Sequence, residues 1–198
     1  MTQFEFFMTF YSLLLGLAVA ELLLGFGGLV RARKQPRWGL LTPLFGVILF
    51  IHIMTSFSDA WAKLQDVDID LVSLGPPALI GVAYFVGAIL CAPRDIDDWP
   101  SLDEYFHARK RFTLGALLCA DALTIVCLEL PNLLGDRPAA IIAYVLINAV
   151  WLALTAAPLF TRSRRVAAGS LLGLLVLMVV LYATPLRIGG LIEAMFGL

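Results

Sequence analysis

Long apolar runs separated by short polar connections fill this 198-residue chain. Crossing the hydrocarbon core as a helix takes about 20 apolar residues. Six segments meet that length, at roughly 4–30, 39–61, 71–92, 112–131, 139–160 and 166–186. The period-two alternation of strands is missing, and helix is the element that satisfies its own backbone groups in lipid. The pattern predicts an all-α polytopic membrane protein: six transmembrane helices in a single transmembrane domain over residues 1–198. The one sizeable connection is 93–111, so no soluble domain is expected.

Composition supports this reading. Hydrophobic residues make up 61% of the chain and charged residues 15%, and the mean hydropathy is +0.91. A water-soluble domain of this length needs more polar surface. Charge placement then gives an orientation. Arg31, Arg33, Lys34 and Arg37 follow the first segment, Arg94, Arg109, Lys110 and Arg111 the third, and Arg162, Arg164 and Arg165 the fifth. The intervening connections hold only Lys63, Arg137 and Arg187. By the positive-inside rule the basic loops are cytoplasmic and both termini lie outside, in a cell inner (plasma) membrane. The opening Met-Thr-Gln-Phe-Glu-Phe-Phe has no basic n-region and suits an outside-first anchor better than a cleaved signal. Topology accounts for the basic residues, so no nucleic-acid partner is expected.

The two halves share features. Leu15-Gly16 and Ala20-Glu21 in the first segment parallel Leu114-Gly115 and Ala120-Asp121 in the fourth. Pro43 and His52 in the second parallel Pro138 and Asn148 in the fifth. Three spans per half would make this a 3+3 inverted repeat, an architecture of transporters with midplane sites.

Ionisable groups inside the apolar segments are expensive, at about 2.5–3.5 kcal/mol each on insertion scales. They are Glu21, His52, Asp59, Asp121 and Glu129, and Asn148 adds an amide. His52, Ser56 and Asp59 share one helix face by their i, i+4, i+7 spacing, as do Tyr144, Asn148, Trp151 and Thr155, and Asp121 with Thr124. Stripes of this kind gain most by facing one another. Glu21, His52, Asp59, Asp121 and Asn148 are therefore the candidate pore or ion-binding residues, with His52 able to exchange protons near neutrality. Interhelical hydrogen bonding without any transported ion is the structural alternative. No Lys or Arg lies inside the segments to neutralise the carboxylates, which favours protonated carboxyls or a bound cation.

Ser101 and Glu104 have capping-box spacing after Pro100, so a helix is expected to start at Ser101 and run on into the fourth span. Leu102, Tyr105 and Phe106 would lie on the membrane surface or pack under the bundle. Asp97, Asp98, Asp103 and Glu104 are candidates for a partner-docking or gating loop. On the other side, Asp66, Asp68 and Asp70 alternate as at the start of a calcium loop, but the glycine and distal Glu of such a loop are missing. Gly169 and Gly173 form a GxxxG, and Ala83 with Gly87 repeats the spacing.

Cys91, Cys119 and Cys127 lie within spans and contain no CxxC, so they read as small apolar side chains. HExxH, GxSxG, P-loop and dinucleotide signatures are missing, and no cofactor or metal is expected. The expected function is a small channel or transporter for a cation or proton, acting as a homo-oligomer in the lipid bilayer. Two alternatives stand beside it: a non-catalytic accessory or assembly subunit that binds partner proteins, and an intramembrane enzyme acting on lipid near His52 and Ser56.

Overall fold

The first helix begins at a reciprocal cap. Thr2 Oγ1 accepts the Glu5 N–H at 3.1 Å, and Glu5 Oε2 accepts the Thr2 N–H at 2.8 Å. Each contact satisfies a donor that a helix start leaves open. The computed structural model describes residues 2–32, 37–65, 71–95, 98–133 and 138–183. Among them the chain forms α1 (Gln3–Arg31), α2 (Leu41–Lys63), α3 (Leu71–Ile89) and α4 (Leu102–Leu123). A π-helical stretch, Thr124–Glu129, continues α4 into the single turn α5 (Leu130–Leu133). The helices α6 (Pro138–Phe160) and α7 (Arg164–Ala183) follow.

Among the described residues, five helical stretches are long and apolar enough to cross a membrane: Gln3–Arg31, Leu41–Lys63, Leu102–Glu129, Ala140–Phe160 and Arg164–Tyr182. This is the composition of a multi-pass helical membrane protein. The expected third span forms α3, 19 residues long, whose stretch Ser73–Ile89 is apolar. Pro76 and Pro77 remove two successive backbone donors near its start, and the chain leaves the helix at Leu90, ahead of Pro93. The expected fourth span is longer than 112–131, because Ser101 caps a helix that starts at Leu102 and carries much of the expected loop.

The helix α2 stands at the centre, packed on α1, α3, α4 and α7. Its Ile48, Leu49 and Ile53 are fully buried. The flanks are apolar and exposed, with Leu13, Leu23 and Leu24 on α1, Val145 and Leu146 on α6, and Val176 and Val179 on α7. In lipid such surfaces need no protein cover. The two halves pack differently. The helices α1 and α3 lie along one another, whereas α4 and α7, their counterparts in a 3+3 repeat, barely touch. The GxxxG face is partly used within the chain: a side chain at Gly173 would press on Leu154 of α6, while Gly169 has open space.

One end of the bundle is clasped by residues 90–110. Asp103 is the centre of the clasp. Its Oδ1 accepts the Leu41 N–H at 2.9 Å, capping α2, and its Oδ2 lies 2.5 Å from Arg164 Nε in a charge contact that lacks hydrogen-bond alignment. Gly39 packs so closely on this carboxylate that no side chain fits there. Beside it, Thr42 Oγ1 donates to Leu102 O at 2.7 Å. Lys110, buried, donates to Pro158 O at 2.7 Å and Thr161 O at 2.5 Å, closing the end of α6. Tyr105 donates to Leu90 O at 3.0 Å, just past α3.

Candidate functional site

At the other end the helices part around a cavity of about 220 Å³. The second half of α2 supplies His52, Ser56 and Asp59, and α4 with its π-helical extension supplies Asp121, Thr124 and Glu129. Tyr84 comes from α3, Tyr144, Asn148 and Trp151 from α6, and Tyr182 from α7. Exposure falls along the cavity, from Lys63 and Tyr182 near the helix ends to His52 and Tyr84, which are 2% and 3% exposed. The eleven residues from His52 to Lys63 correspond to about 16 Å of helix. His52 therefore lies about half a membrane thickness from the end of α2.

The floor of the cavity is a three-residue arrangement. His52 Nδ1 lies 3.0 Å from Ile48 O, and since a carbonyl only accepts, Nδ1 carries the proton. Nε2 is the acceptor when the ring is neutral. It is buried and has no hydrogen-bond partner. It faces Asp121 Oδ1 at 3.6 Å. The other oxygen, Oδ2, accepts the Trp151 indole N–H at 3.3 Å. The Trp151 ring meets His52 edge-on, with centroids 5.1 Å apart. Two acceptors facing each other in a dry site repel unless a proton or a cation lies between them.

Toward the helix ends, Tyr182 donates to Asp59 Oδ2 at 3.2 Å, and Lys63 pairs with Glu129. Asn148 donates to Tyr144 O of its own helix at 3.0 Å. Ser56 Oγ is hydrogen-bonded to Tyr11 at 2.6 Å, on the side of α1. The π-helical turn begins three residues after Asp121, and its wider ring sets Thr124, Ile125, Leu128 and Glu129 along the wall. π-Helical turns recur at functional sites.

Of the five expected pore residues, His52, Asp59, Asp121 and Asn148 line this cavity and Glu21 does not. Glu21 Oε1 accepts from Arg94 Nη2 at 2.7 Å. The reason is the length of α1. At about 1.5 Å per residue its 29 residues far exceed the hydrocarbon core. Its last turns run past the end of α3, where Gly25 meets Ala92 and Leu29 packs with Ala92 and Leu102. Glu21 thus belongs to the clasped end, and the expectation that basic partners are lacking fails for it and for Glu129.

The loop residues divide too. Asp98 and Glu104 are exposed, and Asp97 lies outside the described residues. Asp103 is 7% exposed and its carboxylate is engaged in the clasp. Leu102, Tyr105 and Phe106 are buried under the bundle. Asp66, Asp68 and Asp70 lie outside the described residues. Sequence reasoning did not find Tyr84 or Tyr182, each a single tyrosine in an apolar run with no polar residue at helical spacing to mark a face. No protein-family model matches this chain, and no curated protein or solved structure matches it either.

Proposed function

We propose that this chain is a small membrane transporter or channel for a proton or monovalent cation, with His52 and Asp121 as the midplane site. In this reading α3 is a sixth span, and both termini lie outside the plasma membrane. The observation that carries the proposal is the buried, unpartnered Nε2 of His52 facing the Asp121 carboxylate at the floor of a polar cavity. Intramembrane polar groups held only for packing are expected to pair fully with one another. This pair instead leaves room for one positive charge. The orientation is supported by Arg94, Lys110 and Arg164, which all take part in the clasped end. That end would be cytoplasmic and the cavity would face outward. The chain is small for a one-chain transporter, which favours a homo-oligomer.

The test is flux in proteoliposomes loaded with a pH-sensitive dye, run under H⁺, Na⁺, K⁺ and n-butylammonium gradients. Asp121→Asn is expected to lower the flux at least about tenfold, since it removes the one charge on the cavity floor. Wild-type vesicles that pass none of H⁺, Na⁺, K⁺ or n-butylammonium above protein-free vesicles would defeat the reading.

A further inference from the structure

We infer that the cavity is a binding site for a small aliphatic primary ammonium ion, whose N–H donors are directed at both His52 Nε2 and Asp121 Oδ1. This deepens the proposed function by naming a substrate class for the same site, and it rests on reading the cavity as a cation site.

The chemistry of the walls separates an organic cation from an inorganic one. Hard cations take a shell of oxygen ligands. Among the described residues no group of three His, Cys, Asp or Glu side chains is placed to hold a metal ion. The floor offers one imidazole nitrogen and one carboxylate oxygen, 3.6 Å apart. An ammonium group has three N–H donors and no acceptor, so one such group serves both atoms. It would also end the isolation of Nε2, which none of the described residues relieves.

Above this floor the wall is aromatic and aliphatic. Trp151, Tyr84 and Tyr144 line the cavity with Ile125, Leu128 and Ile147. Aromatic faces attract a desolvated cation, and the aliphatic side chains give a short alkyl tail an apolar bed. Charge agrees with this assignment. Asp59, Asp121 and Glu129 line the cavity against Lys63 alone among Lys and Arg, and Lys63 is already paired with Glu129. A volume of about 220 Å³ lies below the range of drug-sized sites, which selects an amine of a few carbons.

The experiment is calorimetric titration of the full chain in detergent with n-butylammonium chloride, tetramethylammonium chloride and potassium chloride. Wild type is expected to bind n-butylammonium saturably. Tetramethylammonium, which has no N–H, is expected to bind more weakly, and potassium is expected not to compete. Asp121→Asn should weaken n-butylammonium about tenfold or more, the loss of one charge-assisted contact. His52→Leu should weaken n-butylammonium and leave tetramethylammonium unchanged. Should either variant fail to fold, the three wild-type titrations decide alone. Absence of saturable n-butylammonium binding would overturn the inference, as would equal affinity for tetramethylammonium or equal competition by potassium. Those results, together with a proton or potassium flux that depends on Asp121, would leave the proposed function standing and remove only the amine. Loss of that flux as well would remove both.

Discussion

The two ends of this bundle use the same kinds of residue to opposite effect. At the clasped end, Asp103 and Lys110 are buried and their charged atoms reach partners on other helices: the Leu41 N–H, Arg164, Pro158 O and Thr161 O. At the cavity end, His52 and Asp121 are equally buried, yet Nε2 has no partner and the facing oxygen stands 3.6 Å away. Burying a polar group costs little when it is fully bonded and several times more when it is not. The clasp therefore reads as architecture and the cavity floor as a place kept for something else. The difference lies in which atoms the carboxylate meets. Asp103 Oδ1 takes the open N–H of a helix N-terminus at its positive dipole end, and the Arg164 guanidinium lies against Oδ2, which makes no hydrogen bond. Asp121 sits in mid-helix, where the backbone donors are already used.

Breaking the clasp should have the largest effect on stability. Asp103→Ala leaves the Leu41 N–H uncapped and buried and takes away the contact to Arg164, whose own exposure limits what that contact contributes. The expected loss is about 2 kcal/mol, mostly from the unsatisfied donor and the lost cap. A lowered thermal unfolding midpoint in detergent, with n-butylammonium binding retained in the folded fraction, would confirm the division between the two ends. An unchanged midpoint would show that Asp103 is not the centre of the clasp.

Much of the cavity was legible in the sequence, because helical periodicity writes a polar stripe directly. The His52-Ser56-Asp59 spacing and the Tyr144-Asn148-Trp151 spacing both end on one cavity. Depth was less legible. Hydropathy alone put Glu21 within its span, and only the packing of Gly25 and Leu29 against Ala92 and Leu102 shows that α1 overshoots. The role of Asp103 was hidden for a related reason. An acid in the first turn of a capped helix is ordinary, and nothing local says that the start of α2 will be brought against it. Lys110 counted in the sequence only as a charge of a basic loop, while its ammonium closes α6. The π-helical stretch Thr124–Glu129 has no sequence signal that we could identify.

The next comparison is within the cavity floor. Trp151→Phe keeps the ring against His52 and deletes the N–H that holds Asp121 Oδ2. The expected cost to stability is about 1 kcal/mol, the net worth of one hydrogen bond. With that bond gone, Asp121 is freer to turn, so n-butylammonium should bind a few-fold more weakly, a loss smaller than that from Asp121→Asn. Calorimetry on both variants measures the ratio. Binding in Trp151→Phe as weak as in Asp121→Asn would mean that the indole itself, and not only the orientation of the carboxylate, holds the cation.

The smallest effect is expected from the residue that sequence reasoning ranked beside Asp121. Glu21→Gln removes a carboxylate whose partner, Arg94, is 73% exposed, on the far side of the bundle from the cavity. Exposed pairs of this kind contribute at most about 1 kcal/mol, and salt screens them further. Midpoint, amine binding and proteoliposome flux should therefore all stay near wild type, while Asp121→Asn alters the last two. The same chemical change, one carboxylate to one amide in the membrane, would then give two outcomes that differ only in what surrounds the oxygen atoms. Equal losses of flux in the two variants would instead place Glu21 on the conduction path and reduce the contrast between the ends to one of packing.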